Sequence, residues 1–245
     1  MPRARILSES DVICSELRLL SDPEKAKTLL RFFKTGPGEY GEGDRFLGVV
    51  APSVRKVVKS HRDAEEREVL KLLRSEYHEE RLTALLILVG QYQRGDGRRR
   101  KSIYDLYLAN TRYVNNWDLV DLTAPHIVGA HLFGKRPSVL SRLARSSSLW
   151  ERRIAILATF YFIRQGESEE TLRIAEILLH DSHDLIHKAV GWMLREVGKC
   201  CSIEAECRFL DAFAAEMPRT MLRYSIERFP EHLKLRYMNK PRRRR

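Results

Sequence analysis

Long apolar runs are missing from this 245-residue chain. No stretch approaches the ~18–20 consecutive apolar residues that a membrane-spanning helix needs. Met1-Pro2-Arg3-Ala4-Arg5 opens onto no signal-like hydrophobic region, so the protein is expected to stay in the cytoplasm and away from membranes. Cysteine is scarce: Cys14, Cys200, Cys201 and Cys207. Two of the four are adjacent and none forms a Cys-x-x-Cys pair, which favours a reduced compartment over a disulfide framework. Sustained period-2 alternation is absent, so a β-sheet architecture has no support. Gly36-Pro37-Gly38 precedes no Gly-Lys-Ser/Thr, which removes a P-loop. His180, His183 and His187 include a pair at metal-ligand spacing but lack the Glu of a metalloprotease motif, and no metal or other cofactor is expected. His126 and His131 flank a core-like helix and read as capping or backbone-contact residues. No nucleophile elbow for acyl transfer is present.

Acidic residues are also in deficit, 33 Asp+Glu against 44 Lys+Arg, for a net charge of +11. That balance favours a polyanionic partner, most commonly nucleic acid. Residues 240–245 hold five of the cations and read as a disordered basic tail; without them the body is still about +6. With 43% hydrophobic and 31% charged residues, the rest has a globular composition and enough length to bury a core.

The remaining pattern is helical. Residues 10–33 carry apolar Val12, Leu17, Leu20, Ala26 and Leu29, divided by Ser21-Asp22-Pro23-Glu24, a cap followed by proline at the first helical position. A Gly/Pro-rich loop covers 35–44, and another helix begins near Ser53. From about residue 64 the chain repeats. Arg81, Trp117, Arg153, Lys188 and Arg223 are spaced by 36, 36, 35 and 35 residues, and a small or apolar residue (Ala84, Val120, Ile156, Gly191, Ile226) follows three positions after each. A period near 35 with two helices per unit marks an α-solenoid, so the fold class is all-α, with a single repeat domain over 1–239. Equivalent positions in a solenoid line one surface. A row of four cations and one tryptophan there suits a phosphate backbone.

Two clusters stand out. In Asn116-Trp117-Asp118-Leu119-Val120-Asp121, Trp117 and Asp121 lie four apart. On a helix this places an aromatic plane and a carboxylate on one face, a fit for a cationic group. The alternative is a core tryptophan beside a solvated acid. Further on, Lys188, Trp192, Arg195 and Lys199 share one helix face, a tryptophan among cations that suits stacking on nucleic acid; packing of Trp192 against a neighbouring repeat is the other reading.

These two clusters, with Leu149-Trp150-Glu151-Arg152-Arg153-Ile154-Ala155-Ile156-Leu157, Phe46-Leu47-Gly48-Val49 with Pro52 and Arg55, and Pro218-Arg219-Thr220-Met221-Leu222-Arg223-Tyr224-Ser225-Ile226-Glu227, resemble the AlkD family of bacterial DNA alkylation repair glycosylases. The resemblance spans about residues 10–235, in order. It implies a curved stack of HEAT-like repeats with a basic concave groove. It also implies monofunctional excision of N3- and N7-alkylated purines from duplex DNA by a monomer, nucleoid-associated when bound, without a base-flipping pocket. Asp121 resembles the catalytic carboxylate, Trp117 and Trp192 the aromatic residues that frame the lesion's deoxyribose, and Arg153 a backbone contact near it. Arg195 and Lys199 match phosphate contacts; Arg81, Lys188 and Arg223 join them through the repeat. The alternative class is a non-catalytic HEAT-repeat scaffold for DNA structures, with RNA binding by the same groove a weaker option.

Overall fold

A computed structural model describes residues 7–135 and 138–241. Among these residues every regular element is helical, and the one extended pairing is a single bridge between Arg45 and Tyr77. Backbone packing divides the chain into two compact units, Met1–Thr123 and Ala124–Arg245.

The first unit contains α1 (Glu9–Leu19), α2 (Pro23–Phe32), α3 (Ala51–Ser60), α4 (Glu66–Leu73), α5 (His78–Arg94), α6 (Gly97–Ala109) and α7 (Trp117–Asp121). The break between α1 and α2 falls where the sequence places it. The Asp22 carboxylate accepts from the backbone N–H groups of Glu24 and Lys25, and Pro23 occupies the first turn, where its missing N–H costs nothing. Helix α5 is the centre of this unit, packed by α3, α4, α6, α1 and α7. Its Leu82, Leu85, Ile87 and Leu88 are buried, and so are three charged residues of its first turn, Glu79, Glu80 and Arg81. A helix buried all round is core, and truncating Leu85 to Ala there costs about 2–5 kcal/mol. The segment 46–50 crosses the start of α2 so closely that Gly48, at φ +83°, has Asp22's carbonyl oxygen 2.1 Å from where a Cβ would sit. Only glycine fits.

The second unit contains a π-helical turn (Pro125–Gly129), then α8 (Ala130–Leu132), α9 (Ser138–Ala144), α10 (Leu149–Arg164), α11 (Glu169–Ile177), α12 (Asp184–Cys200), α13 (Ile203–Phe213), α14 (Arg219–Ser225) and α15 (Glu231–Met238). Helices α10 and α12 form its spine, α12 packing on α10, α13 and α14. Gly191 lets α12 meet α14 at backbone distance: a Cβ there would lie 2.4 Å from the Met221 carbonyl oxygen. Of the basic tail expected over 240–245, residues 242–245 lie outside the described residues. Lys240 belongs to the folded part, its ammonium donating to the Asp211 carbonyl at 2.7 Å near the end of α13.

The five repeat positions therefore fall on α5, α7, α10, α12 and α14, the all-α helical-repeat class read from the period. One copy departs. Helix α7 is five residues long where α5, α10 and α12 run 16 or 17. Pro125 has no N–H to give the carbonyl of Asp121 four residues back, and the chain widens into the π-helical turn that follows.

Candidate functional site

The short helix α7 starts at Asn116, a fully buried residue in extended conformation whose side-chain oxygen accepts from the Trp117 N–H at 2.9 Å. Leu119 and Val120 are buried; Trp117 and Asp121, one helical turn apart, are half-buried. The Trp117 indole is buttressed from α2. It stacks on Phe33 (centroids 5.3 Å apart, planes at 21°) and meets the edge of Phe32 at 5.9 Å. Phe33 stacks in turn on Phe46 at 5.0 Å, and Phe46 on the imidazole of His78 at 4.6 Å. At the other end of α7, Thr123 accepts or donates a hydrogen bond with the buried Tyr107 hydroxyl at 3.0 Å. Burial pushes the Tyr107 phenol up, and the negative charge of Asp121 adds to the rise.

Beneath α7 lies a buried ionic network that the sequence reading did not single out. His78, the first residue of α5, is 2% exposed. Its Nδ1 lies 2.9 Å from Asp44 Oδ2 and its Nε2 2.8 Å from Asp118 Oδ2. A ring with a carboxylate at each nitrogen donates from both, which makes it an imidazolium. Burial alone would lower its pKa; the charges and hydrogen bonds of Asp118 and Asp44 outweigh it and hold the group at about 9. The same balance, burial opposed by His78 and Arg81, keeps the Asp44 carboxyl below its ordinary range. Asn116 also donates to Asp44, at 3.3 Å. Alongside, the buried Glu79 carboxylate accepts from the backbone N–H groups of Leu47, Gly48 and Val49, pinning that segment to α5. A largely apolar cavity of about 350 Å³, walled by Leu29, Phe33, Phe46, Val49 and Leu82, reaches His78 and Asp118.

Arg81 requires a correction. It was expected in an exposed row of cations, yet it is 4% exposed, its guanidinium donating to Asp44 at 2.7 Å and to the Ser75 carbonyl at 3.1 Å. It neutralises a buried carboxylate and has no surface for a phosphate. Arg153 is nearly as buried, at 5%, and donates to the Leu185 carbonyl at 2.6 Å, bracing α10 against the first turn of α12. The repeat sets the helical register of these two arginines but not their exposure.

In the second unit α12 presents Lys188, Trp192, Arg195 and Lys199 as the spacing predicts. Trp192 is half-buried, its ring 5.7 Å from that of Phe160 and its N–H donating to Glu196 Oε1 at 3.3 Å. Glu196 is 5% exposed and gathers the cations around it: Arg195 at 3.2 Å and Lys199 at 3.6 Å. Arg195 also pairs with Glu227, and Lys188 with Asp184 at 2.7 Å. Arg223 on α14 is exposed, with no ion pair to it among the described residues. The histidines at metal-ligand spacing have structural partners instead. His183 caps α12 by accepting from the Leu185 N–H, and His187 bonds the Asp181 carbonyl. Among the described residues no three His, Cys, Asp or Glu side chains gather as a metal site, and no helix is long and apolar enough to cross a membrane.

Comparison with known proteins agrees with this architecture. Residues 13–229 match the family model described as DNA alkylation repair enzyme. A solved structure described as a predicted DNA alkylation repair enzyme from Enterococcus faecalis superposes with a TM-score of 0.68, covering 86% of this chain and 97% of its own at 14% identity, a likeness of fold. No curated protein matches.

Proposed function

The chain belongs to the family of DNA alkylation repair enzymes, and from that membership we propose that it is a DNA glycosylase for cationic N3- and N7-alkylated purines in duplex DNA. The observation that carries this reading is α7: an aromatic plane braced from behind by Phe33 and Phe32, one helical turn from a half-buried carboxylate.

Alkylation at N3 or N7 gives the purine a positive charge, so the base leaves as a neutral molecule without a general acid. The C1′–N bond breaks, positive charge develops on the deoxyribose, and the oxygen of a water adds to C1′ with loss of a proton to solvent. The Asp121 carboxylate stabilises the developing charge and orients that water. Trp117 supplies a ring face to the cationic sugar and excludes bulk water, and Trp192 offers a second aromatic face to the DNA. Lys188, Arg195, Lys199 and Arg223 serve the phosphates, with Arg153 contributing what little surface it has. The product is an abasic site, with no lyase step. The enzyme works as a cytoplasmic monomer on the nucleoid and uses no cofactor. Selectivity comes from the charge on the base, so a pocket for an extruded base is not required.

The test is release of free base from a duplex carrying one N7-methylguanine, under single-turnover conditions. Wild type releases the base and Asp121→Asn does not, although it still binds the duplex. Tight binding with no release by either protein would replace the enzyme with a non-catalytic helical-repeat protein that recognises DNA structure.

A further inference from the structure

We propose that His78, buried between the carboxylates of Asp44 and Asp118, is a positioning residue for base excision, holding α7 so that Trp117 and Asp121 meet the substrate sugar in the reactive geometry. The proposal rests on the glycosylase reading above.

A five-residue helix closes about one hydrogen-bonded turn and cannot hold itself together, because nucleation costs more than so few bonds return. Its direction must be set from outside. Leu119 and Val120 anchor one side by burial, which fixes depth but leaves the helix free to roll. The polar anchors lie at its start. Asn116 caps the Trp117 N–H with one end of its amide and reaches Asp44 with the other. Asp118 accepts from the Leu119 N–H with Oδ1, at 2.8 Å, and from His78 with Oδ2. Both anchors lead to α5, the most thoroughly buried helix of the first unit, through Asp44 and His78.

Asp118 sits between Trp117 and Asp121 in sequence, so a rotation of α7 that broke its bond to His78 would swing both. An ångström of misplacement at a reacting centre costs about 100-fold in rate. The aromatic stack couples the same parts a second way: His78 lies on Phe46, Phe46 on Phe33, and Phe33 on Trp117.

The network is charge-balanced only while the imidazole is protonated. Every element against His78 contributes. Asp44 comes from the loop before α3, with Arg81 from α5 on its other oxygen, and Asp118 comes from α7. Glu79 is turned toward the segment 47–49, and Lys25 of α2, at the rim of the adjoining cavity, pairs with Asp22. Deprotonation would leave the buried Asp44 carboxylate with Arg81 alone and the half-buried Asp118 carboxylate without the His78 charge. The raised pKa, about 9, gives the direction: positioning is complete at neutral pH and is lost as pH rises through about 9.

The experiment compares wild type, His78→Gln and Asp118→Asn for single-turnover base release and duplex affinity across pH 6–10, with melting temperature as the control for folding. The expected result is that both variants bind duplex as wild type does, release base about 100-fold more slowly at pH 7, and lose the alkaline fall near pH 9 that wild type shows. A loss of stability alone would not move that pH profile. If His78→Gln does not fold, Asp118→Asn, which leaves the Asp44–His78–Arg81 contacts in place, carries the test. Wild-type release rates in a folded variant, or an alkaline limb that survives in both, would overturn the positioning role and leave the glycosylase standing. Absence of release by wild type at every pH would overturn the glycosylase reading itself, and this proposal with it.

Discussion

Two tryptophans in this chain are each followed four residues later by an acid, and the two pairs have opposite fates. Trp117 and Asp121 open and close a helix of five residues; Trp192 and Glu196 lie inside one of seventeen. Glu196 is buried and occupied, taking the Trp192 N–H and the charges of Arg195 and Lys199. Asp121 stays half-buried at the end of α7, and its charge is felt by the Tyr107 phenol. Spacing puts an acid beside a ring in both places. What differs is burial and the length of helix: Glu196 is a buried counter-ion inside a long helix, whereas Asp121 keeps part of its surface at the end of a short one.

The sharpest way to break that comparison is to neutralise each acid. Asp121→Asn is expected to lower single-turnover base release by about 100- to 1,000-fold or more, the scale of losing an electrostatic stabiliser of the transition state. Its melting temperature should stay close to wild type. Glu196→Gln is expected to do the reverse. It frees Arg195 and Lys199 from their shared partner, so duplex affinity changes and the melting temperature falls, while the rate at saturating enzyme holds. Equal losses of rate in the two variants would mean that the acids share one role.

A second pair of residues separates repeat register from exposure. Arg81 and Arg223 occupy equivalent positions of the period, one in the core and the other at the surface. Arg81→Ala leaves Asp44 buried with less compensation and should cost about 3–5 kcal/mol of stability, read by denaturant unfolding. Arg223→Ala should leave stability unchanged and reduce the slope of log affinity against log salt by about 1, as expected for one lost phosphate contact. An Arg81→Ala protein that unfolds like wild type would restore that residue to the DNA-contact set.

The repeat was legible because helices declare themselves locally. The Asp22-Pro23 cap, the apolar spacing over residues 10–33 and the 35-residue period are all regular local signals, and each reappears as a helix or a helix boundary. The position of Trp117 and Asp121 on one short helix was legible for the same reason. What escaped is the network beneath them. His78 meets Asp44 across 34 residues and Asp118 across 40, and Asn116 meets Asp44 across 72. No periodicity links such positions, and Asp44 closes a glycine-rich loop that carried no motif. A local signal did exist: Asp118 stands within the Trp117–Asp121 turn, and a buried-side acid in the first turn of a helix calls for a partner. The exposure of Arg81 and Arg153 was misjudged because a helical period fixes angle about an axis and says nothing of what another element lays over that face.

The smallest expected effect compares the buried titrating groups of the two units. His78 is a paired cation; Glu206, on α13, is 1% exposed and has one carboxyl oxygen without a hydrogen-bond partner. Burial raises its pKa to about 8, against which the nearby Arg195 charge works only weakly. Both groups make the protein less stable as pH rises, by different routes. For His78 the stabilising imidazolium is complete below about 6.5 and lost as pH climbs through about 9. For Glu206 the unfolded acid ionises from about 4.5 upward while the folded one stays protonated, so the unfolded state holds fewer protons and stability falls until about pH 8. Glu206→Gln removes that second dependence without adding charge. Its melting temperature should match wild type near pH 4.5 and exceed it by a few degrees at pH 8, whereas His78→Gln should be less stable than wild type at pH 6 and approach it above pH 9. Glu206→Gln curves parallel to wild type across this range would place the Glu206 carboxyl in water, against its packing beneath Gly198.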